Sequence, residues 1–127
     1  MITLATLKDA TEQGVFDQVV NHLRKQGVQS RNHLGCAYRG GNGLMCAAGC
    51  LIADDEYTDR MDSSQLDTGW QVLVNEDVVP SHHVELIEDL QDVHDFNTAH
   101  NFETWEEGFM YVANKYSLEY KQQENNQ

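Results

Sequence analysis

The chain has 127 residues, 40% of them apolar, with 21 Asp and Glu against eight Lys and Arg and a formal net charge of −13. That length suits one domain with its own core, no run approaches the roughly 18 to 20 apolar residues of a membrane span, and the charge repels nucleic acid and anionic lipid. Three cysteines make a poor disulfide framework, and the first eight residues lack a basic segment followed by an apolar one, so the expected setting is a reducing cytoplasm.

The first predicted element is a helix over 11–26. Val15, Phe16, Val19, Val20 and Leu23 form its amphipathic stripe. Arg24 and Lys25 complement the dipole in its last turn, and Gly27 suits the left-handed position beyond it. Cys36-Ala37-Tyr38-Arg39 then reads as a short strand, and Gly40-Gly41-Asn42-Gly43 as a tight turn that tolerates positive φ. Leu44-Met45-Cys46 would return along the first strand to close a hairpin. The small residues of Ala47-Ala48-Gly49-Cys50-Leu51-Ile52 permit close backbone packing, as a strand or a buried turn beneath the helices.

Asp54-Asp55-Glu56-Tyr57 looks like the acidic start of a short helical turn. Residues 63–79 read two ways: Leu66, Trp70 and Leu73 fit a helix, whereas Trp70, Val72 and Val74 alternate like a strand. After Pro80, the spacing of Val84, Leu86, Ile87, Leu90 and Val93 predicts a helix ending near Asp95. Phe102, Trp105, Phe109, Val112, Ala113 and Tyr116 predict a last one over 102–116. The expected fold is therefore α+β, with about four helices packed around a short β-hairpin. It forms one compact acidic domain over 1–120, followed by a frayed polar tail at 121–127.

Four residues have the chemistry of a structural zinc site: His33, Cys36, Cys46 and Cys50. The spacing differs from a knuckle, because Cys36 and Cys46 flank a turn. The competing reading makes the cysteines small buried apolar side chains. A nucleophilic Cys46 or Cys50 activated by His33, His83 or His94 is disfavoured by acidic surroundings, which raise a thiol pKa. His83 and His94 share the apolar stripe of their helix and read as hydrogen-bonded core or boundary residues. The glycine turn lacks the Lys-Ser/Thr ending of a phosphate loop. Arg39 is expected to bridge to a carboxylate such as Asp54 or Asp55.

Charge is unevenly distributed. Residues 1–39 carry five cations against three acids, a balance of +2, while residues 40–127 carry three against eighteen, a balance of −15. Glu85, Glu88, Asp89, Asp92 and Asp95 line the polar side of one predicted helix, and Glu103, Glu106 and Glu107 cluster at the start of the last. Rows of carboxylates can imitate duplex phosphates and occupy a basic cleft, although acidic faces also serve solubility alone.

The segment from Cys36 to Ile52, with its Tyr-Arg-Gly turn leading into Cys-Ala-Ala-Gly-Cys-Leu-Ile and then Asp54–Tyr57, resembles small uncharacterised proteins of tailed phages and some bacteria. The helix before it and Leu86–Asp95 are also similar; Ala53 departs from the pattern, standing where proline is expected. The resemblance implies a phage-type accessory protein in a bacterial cytoplasm, and it carries no catalytic residues. The expected function is non-enzymatic: binding, and inhibition or redirection, of a host protein with a basic surface, such as a nucleic-acid-binding enzyme. The expected partner-binding residues are the eight carboxylates above, with no cofactor. The alternatives are a zinc-stabilised binding module on His33, Cys36, Cys46 and Cys50 and, less favoured, a cysteine-dependent enzyme.

Overall fold

The computed structural model of the chain describes residues 1–32, 35–62, 69–96 and 102–121. Four α-helices carry the fold: α1 (Glu12–Gln26), α2 (Trp70–Asn75), α3 (Val84–Asp95) and α4 (Trp105–Tyr116). Short 3-10 turns at Leu7–Asp9, Gly41–Gly43, Ala48–Leu51 and Asp59–Asp62 supply much of the rest. Helix α3 is the hub, packing against α1, α2, α4 and the Ala48–Leu51 turn.

Local chemistry sets the helix ends. The Thr11 side chain caps α1 by accepting from the Gly14 amide, and Gly27 closes it at φ 77°. Thr104 caps α4 by accepting from the Glu107 amide, while the Glu107 carboxylate accepts from Glu103 N. The predicted stripes become the core: Phe16, Leu23, Leu51, Leu86, Ile87, Leu90 and Phe109 are all buried. Each such side chain contributes about 1.5–3 kcal/mol relative to exposure.

The α+β expectation fails. The structure is mostly helical, 56% helix and 4% strand, so the fold belongs to the all-α class. The expected hairpin across Gly40–Gly43 is not formed; its arms share one bridge, Arg39 to Met45. The only other strand pairing among the described residues joins β1 (Arg31–Asn32) to β2 (Gly35–Cys36), two residues each.

The reason lies in competition for the backbone groups a hairpin needs. Tyr38 N and Arg39 N both donate to the Asp62 carboxylate, at 2.9 and 3.1 Å. Met45 N donates to Gln26 Oε1, and Met45 O accepts from Gln26 Nε2 and contacts His22 Nε2. Ala48 N donates to Gln91 Oε1. Side chains from α1 and the Asp59–Asp62 turn thus satisfy backbone groups of the two arms, while α3 holds the turn that follows. The turn itself has the expected conformation, with Asn42 at φ 60° and Gly43 at φ 77°.

The stretch from Ala47 to Ile52 is a buried turn, one of its two expected forms, with a 3-10 turn at Ala48–Leu51. Gly49 is required there, because a Cβ at this position would lie 2.4 Å from the Tyr38 carbonyl oxygen. Arg39 ties the same region together by donating to Gly49 O and Ile52 O, pairing with Asp54 at 3.3 Å and lying over the Tyr57 ring. Its expected bridge to a carboxylate is present, but the two carbonyl bonds are shorter.

Glu56 fastens the N-terminal segment by accepting from Leu4 N, Ala5 N and Ala53 N. Burial pushes its carboxyl upward, but those three amides outweigh it and hold the group below its ordinary value. This contribution is present above the unfolded carboxyl range and is lost as pH falls through the folded value.

Candidate functional site

The two sides of α3 diverge in chemistry. Leu86, Ile87, Leu90, Val93 and His94 enter the core. Glu88, Gln91, Asp92 and Asp95 sit at i, i+3, i+4 and i+7, and together they wall a pocket of about 280 Å³. The opposite wall includes Tyr38, Cys46, Asp62 and Trp70. Four carboxylates therefore share one pocket, and no lysine or arginine is among its described lining residues.

Two of these carboxylates are committed to the fold. Asp62 accepts from Tyr38 N, Arg39 N and, at 2.6 Å, the Tyr57 hydroxyl. Asp95 accepts from His94 Nδ1 at 2.6 Å and from Gln91 Nε2 at 2.9 Å. Glu88 and Asp92 differ: neither has a hydrogen-bond or ion-pair partner among the described residues.

Burial, and then the neighbouring charges of Asp89, Asp95 and Glu88, push the Asp92 carboxyl up to about 6. Because the folded value exceeds the unfolded one, ionising Asp92 opposes folding. Stability falls as pH rises across the window from 3.8 to about 6. Asp92→Asn should therefore raise stability at neutral pH by about 1 kcal/mol, allowing for solvent on the open side of the pocket, and flatten that pH dependence. Urea denaturation at several pH values checks this, and a destabilised variant at neutral pH would show that the carboxylate supports the fold.

His94 explains how the pocket edge is held. The ring is fully buried, and its Nε2 accepts from the Ser30 amide at 3.0 Å. That bond leaves the proton on Nδ1, which donates to Asp95. The ring stacks on Trp105 at 5.7 Å, and the His94 carbonyl accepts from Trp105 Nε1 and Gln29 Nε2. His94 is thus a hydrogen-bonded core residue rather than a base facing a thiol. His83, half-buried, contacts Ala10 O through Nε2 at 2.8 Å.

The structure divides the eight predicted partner-binding carboxylates. Asp89 accepts from Lys115 Nζ and the Tyr116 hydroxyl, and Glu85 takes a second bond from that hydroxyl, clipping α3 to α4. Glu106 accepts two bonds from Arg24, at 2.6 and 2.9 Å, and a third from Tyr120. Glu107 completes the α4 cap. Glu103 is exposed at the surface. Glu88, Asp92 and Asp95 meet in the pocket, joined by Asp62, which no periodicity in the sequence marks because it arrives from a separate turn.

Of the four candidate zinc ligands, His33 and the Cys36 side chain lie outside the described residues. Cys46 is buried; its sulfur accepts from Gly49 N, and Cys50 Sγ donates to Ala47 O, both at 3.2 Å. Burial pushes the Cys46 thiol well up and the Cys50 thiol up to about 12. Such thiols are poor nucleophiles. Among the described residues, no group of three or more His, Cys, Asp or Glu side chains has metal-binding geometry.

Among the described residues, no helix is long and apolar enough to cross a membrane. No family model, curated protein or solved structure matches the chain.

Proposed function

We propose that the chain is a non-enzymatic interaction protein of phage type whose α3 pocket receives a basic side chain from a host protein. One observation carries this reading: four carboxylates line a single pocket, and two of them, Glu88 and Asp92, have no partner among the described residues. Asp89, Glu106 and Asp95, by contrast, are each matched to a donor, and other carboxylates without a partner among the described residues, such as Asp9, Asp55 and Glu103, are exposed, whereas Glu88 and Asp92 are half-buried. The pocket is slightly smaller than the roughly 300 Å³ at which drug-sized ligands are held, which suits a side chain. The excess of acid beyond residue 40 would steer a basic partner toward it. The phage assignment rests on the Cys36–Ile52 motif, and the basic partner is of the kind that binds nucleic acid.

Capture from bacterial lysate tests the reading, comparing the natural chain with a Glu88→Lys, Asp92→Lys double variant. The natural chain should retain a basic protein that is released at about 0.5 M salt, where charges are screened within a few ångströms. The double variant should retain none. Recovery of the same protein by both chains, or of no basic protein at low salt, contradicts the proposal.

A further inference from the structure

The three glutamines of α1 each grip a main chain in the same way. The Gln18 amide accepts from Ile2 N and donates to Ile2 O, and the Gln26 amide does the same to Met45. Gln13 brackets Glu119, accepting from its N–H at 2.8 Å and donating to its carbonyl at 3.0 Å. Such a pair of bonds holds an extended backbone whatever its side chains, as a neighbouring strand would. The brackets at Gln18 and Gln26 are half-buried, whereas both bonds at Gln13 are exposed. What Gln13 holds is the short strap of residues 117–121 that follows α4.

The strap lies on α1 as a bound peptide would. Arg24 Nη2 donates to Lys121 O at 2.6 Å, and the Arg24 guanidinium lies 5.8 Å from the centre of the Tyr120 ring. The Tyr120 hydroxyl donates to Glu106 at 2.7 Å, and Leu118 and Tyr120 rest half-buried on the core. Segments held by solvent-exposed bonds open first in a folded chain. The chain enters the strap through Ser117 at φ 57°, a left-handed conformation disfavoured for a residue with a Cβ, so opening also relieves strain. Nor does the strap fill the face it covers. A cavity of about 320 Å³ has its described lining on α1 and the strap alone, and the exposed Asn21 at its edge has no hydrogen-bond partner among the described residues.

We infer that this face of α1 is a peptide-binding groove, which the strap occupies as a displaceable stand-in for an extended, tyrosine-bearing segment of a partner. Gln13 brackets the residue before the tyrosine, Glu106 takes the tyrosine hydroxyl, and Arg24 takes the carbonyl of the residue after it. The strap competes in cis, so affinity for the partner scales with the fraction of molecules in which it is open. The groove shares no residue with the α3 pocket, and the inference is independent of the proposed function.

Titration of the full chain with a blocked Ser-Leu-Glu-Tyr-Lys peptide, the sequence of residues 117–121, tests it through backbone amide chemical shifts. Glu119→Pro removes the bracketed N–H from the strap at an exposed position and leaves the groove intact. This variant should bind the peptide about tenfold more tightly than the natural chain, the factor for a strap closed about nine-tenths of the time. The shifts should centre on Gln13, Asn21 and Arg24. Adding Gln13→Ala to Glu119→Pro, or N-methylating the glutamate of the peptide, should each weaken binding about tenfold, because each breaks the bracket. Equal affinity of the natural chain and Glu119→Pro, no binding by either, or an affinity that survives the loss of the bracket overturns the inference. Dimerisation of Glu119→Pro at the titration concentrations, read by sedimentation, assigns the groove to a second copy and overturns the partner.

Discussion

Gly49→Ala is expected to lower stability by about 3 kcal/mol, at the upper end for overpacking, because the clash is with backbone rather than with a flexible side chain. The added methyl group would sit 2.4 Å from Tyr38 O and 3.3 Å from Tyr38 Cα. Neither neighbour is free to retreat: Tyr38 N is bound to Asp62, and Gly49 O accepts from Arg39. Gly41→Ala is the matched control, since nothing lies within 4 Å of a Cβ there and its φ is not positive. That substitution should change stability by less than about 0.5 kcal/mol. Parallel thermal melts decide the matter; equal Tm values for the two variants would mean that the 47–52 turn packs more loosely than described.

His94→Leu should cost about 3 kcal/mol even though leucine fills much of the same space. The loss comes from polar accounting rather than volume. Ser30, itself fully buried, would keep its amide without an acceptor, and Asp95 would lose the Nδ1 donor at 2.6 Å. A buried group stripped of its partner carries its full desolvation penalty. Loss of the stack on Trp105 adds a smaller amount. Urea denaturation reads the total, and a change under about 0.5 kcal/mol would show that the ring serves only as apolar filling.

Helices α1, α3 and α4 were legible because their determinants are local, whereas α2 lies in a stretch that reads two ways. The stripe from Val15 to Leu23, the cap at Thr11 and the left-handed Gly27 all lie within one segment, and Thr104 caps α4 in the same way. The hairpin misread has the opposite origin. Gly40–Gly43 does supply the positive φ of a turn, but strand pairing depends on which groups reach the flanking backbone. Here Asp62 and Gln26 reach it first, from 19 or more positions away in the sequence. No propensity at residues 36–46 announces such competitors.

The same divide applies to the candidate site. Periodicity placed Glu88, Asp92 and Asp95 on one side of α3, and that side faces the pocket. It could not separate them from Glu85 and Asp89, one turn round, which the Lys115 and Tyr116 side chains of α4 claim. Nor could it add Asp62 or Trp70, which tertiary packing brings to the opposite wall. The acidic row was visible in the sequence; its division into clips and pocket was not.

The central claim is that basic recognition is concentrated at this pocket rather than spread over an acidic surface. Backbone amide chemical-shift mapping with hexa-arginine at neutral pH tests it most directly. The expected result is a set of shifts confined to Ala37, Tyr38, Cys46, Asp62, Gly69, Trp70 and the Glu88–Asp95 stretch, removed by Glu88→Lys with Asp92→Lys. Shifts of equal size at remote acids such as Glu12, Asp17 and Glu119, or none at the pocket, would contradict the account.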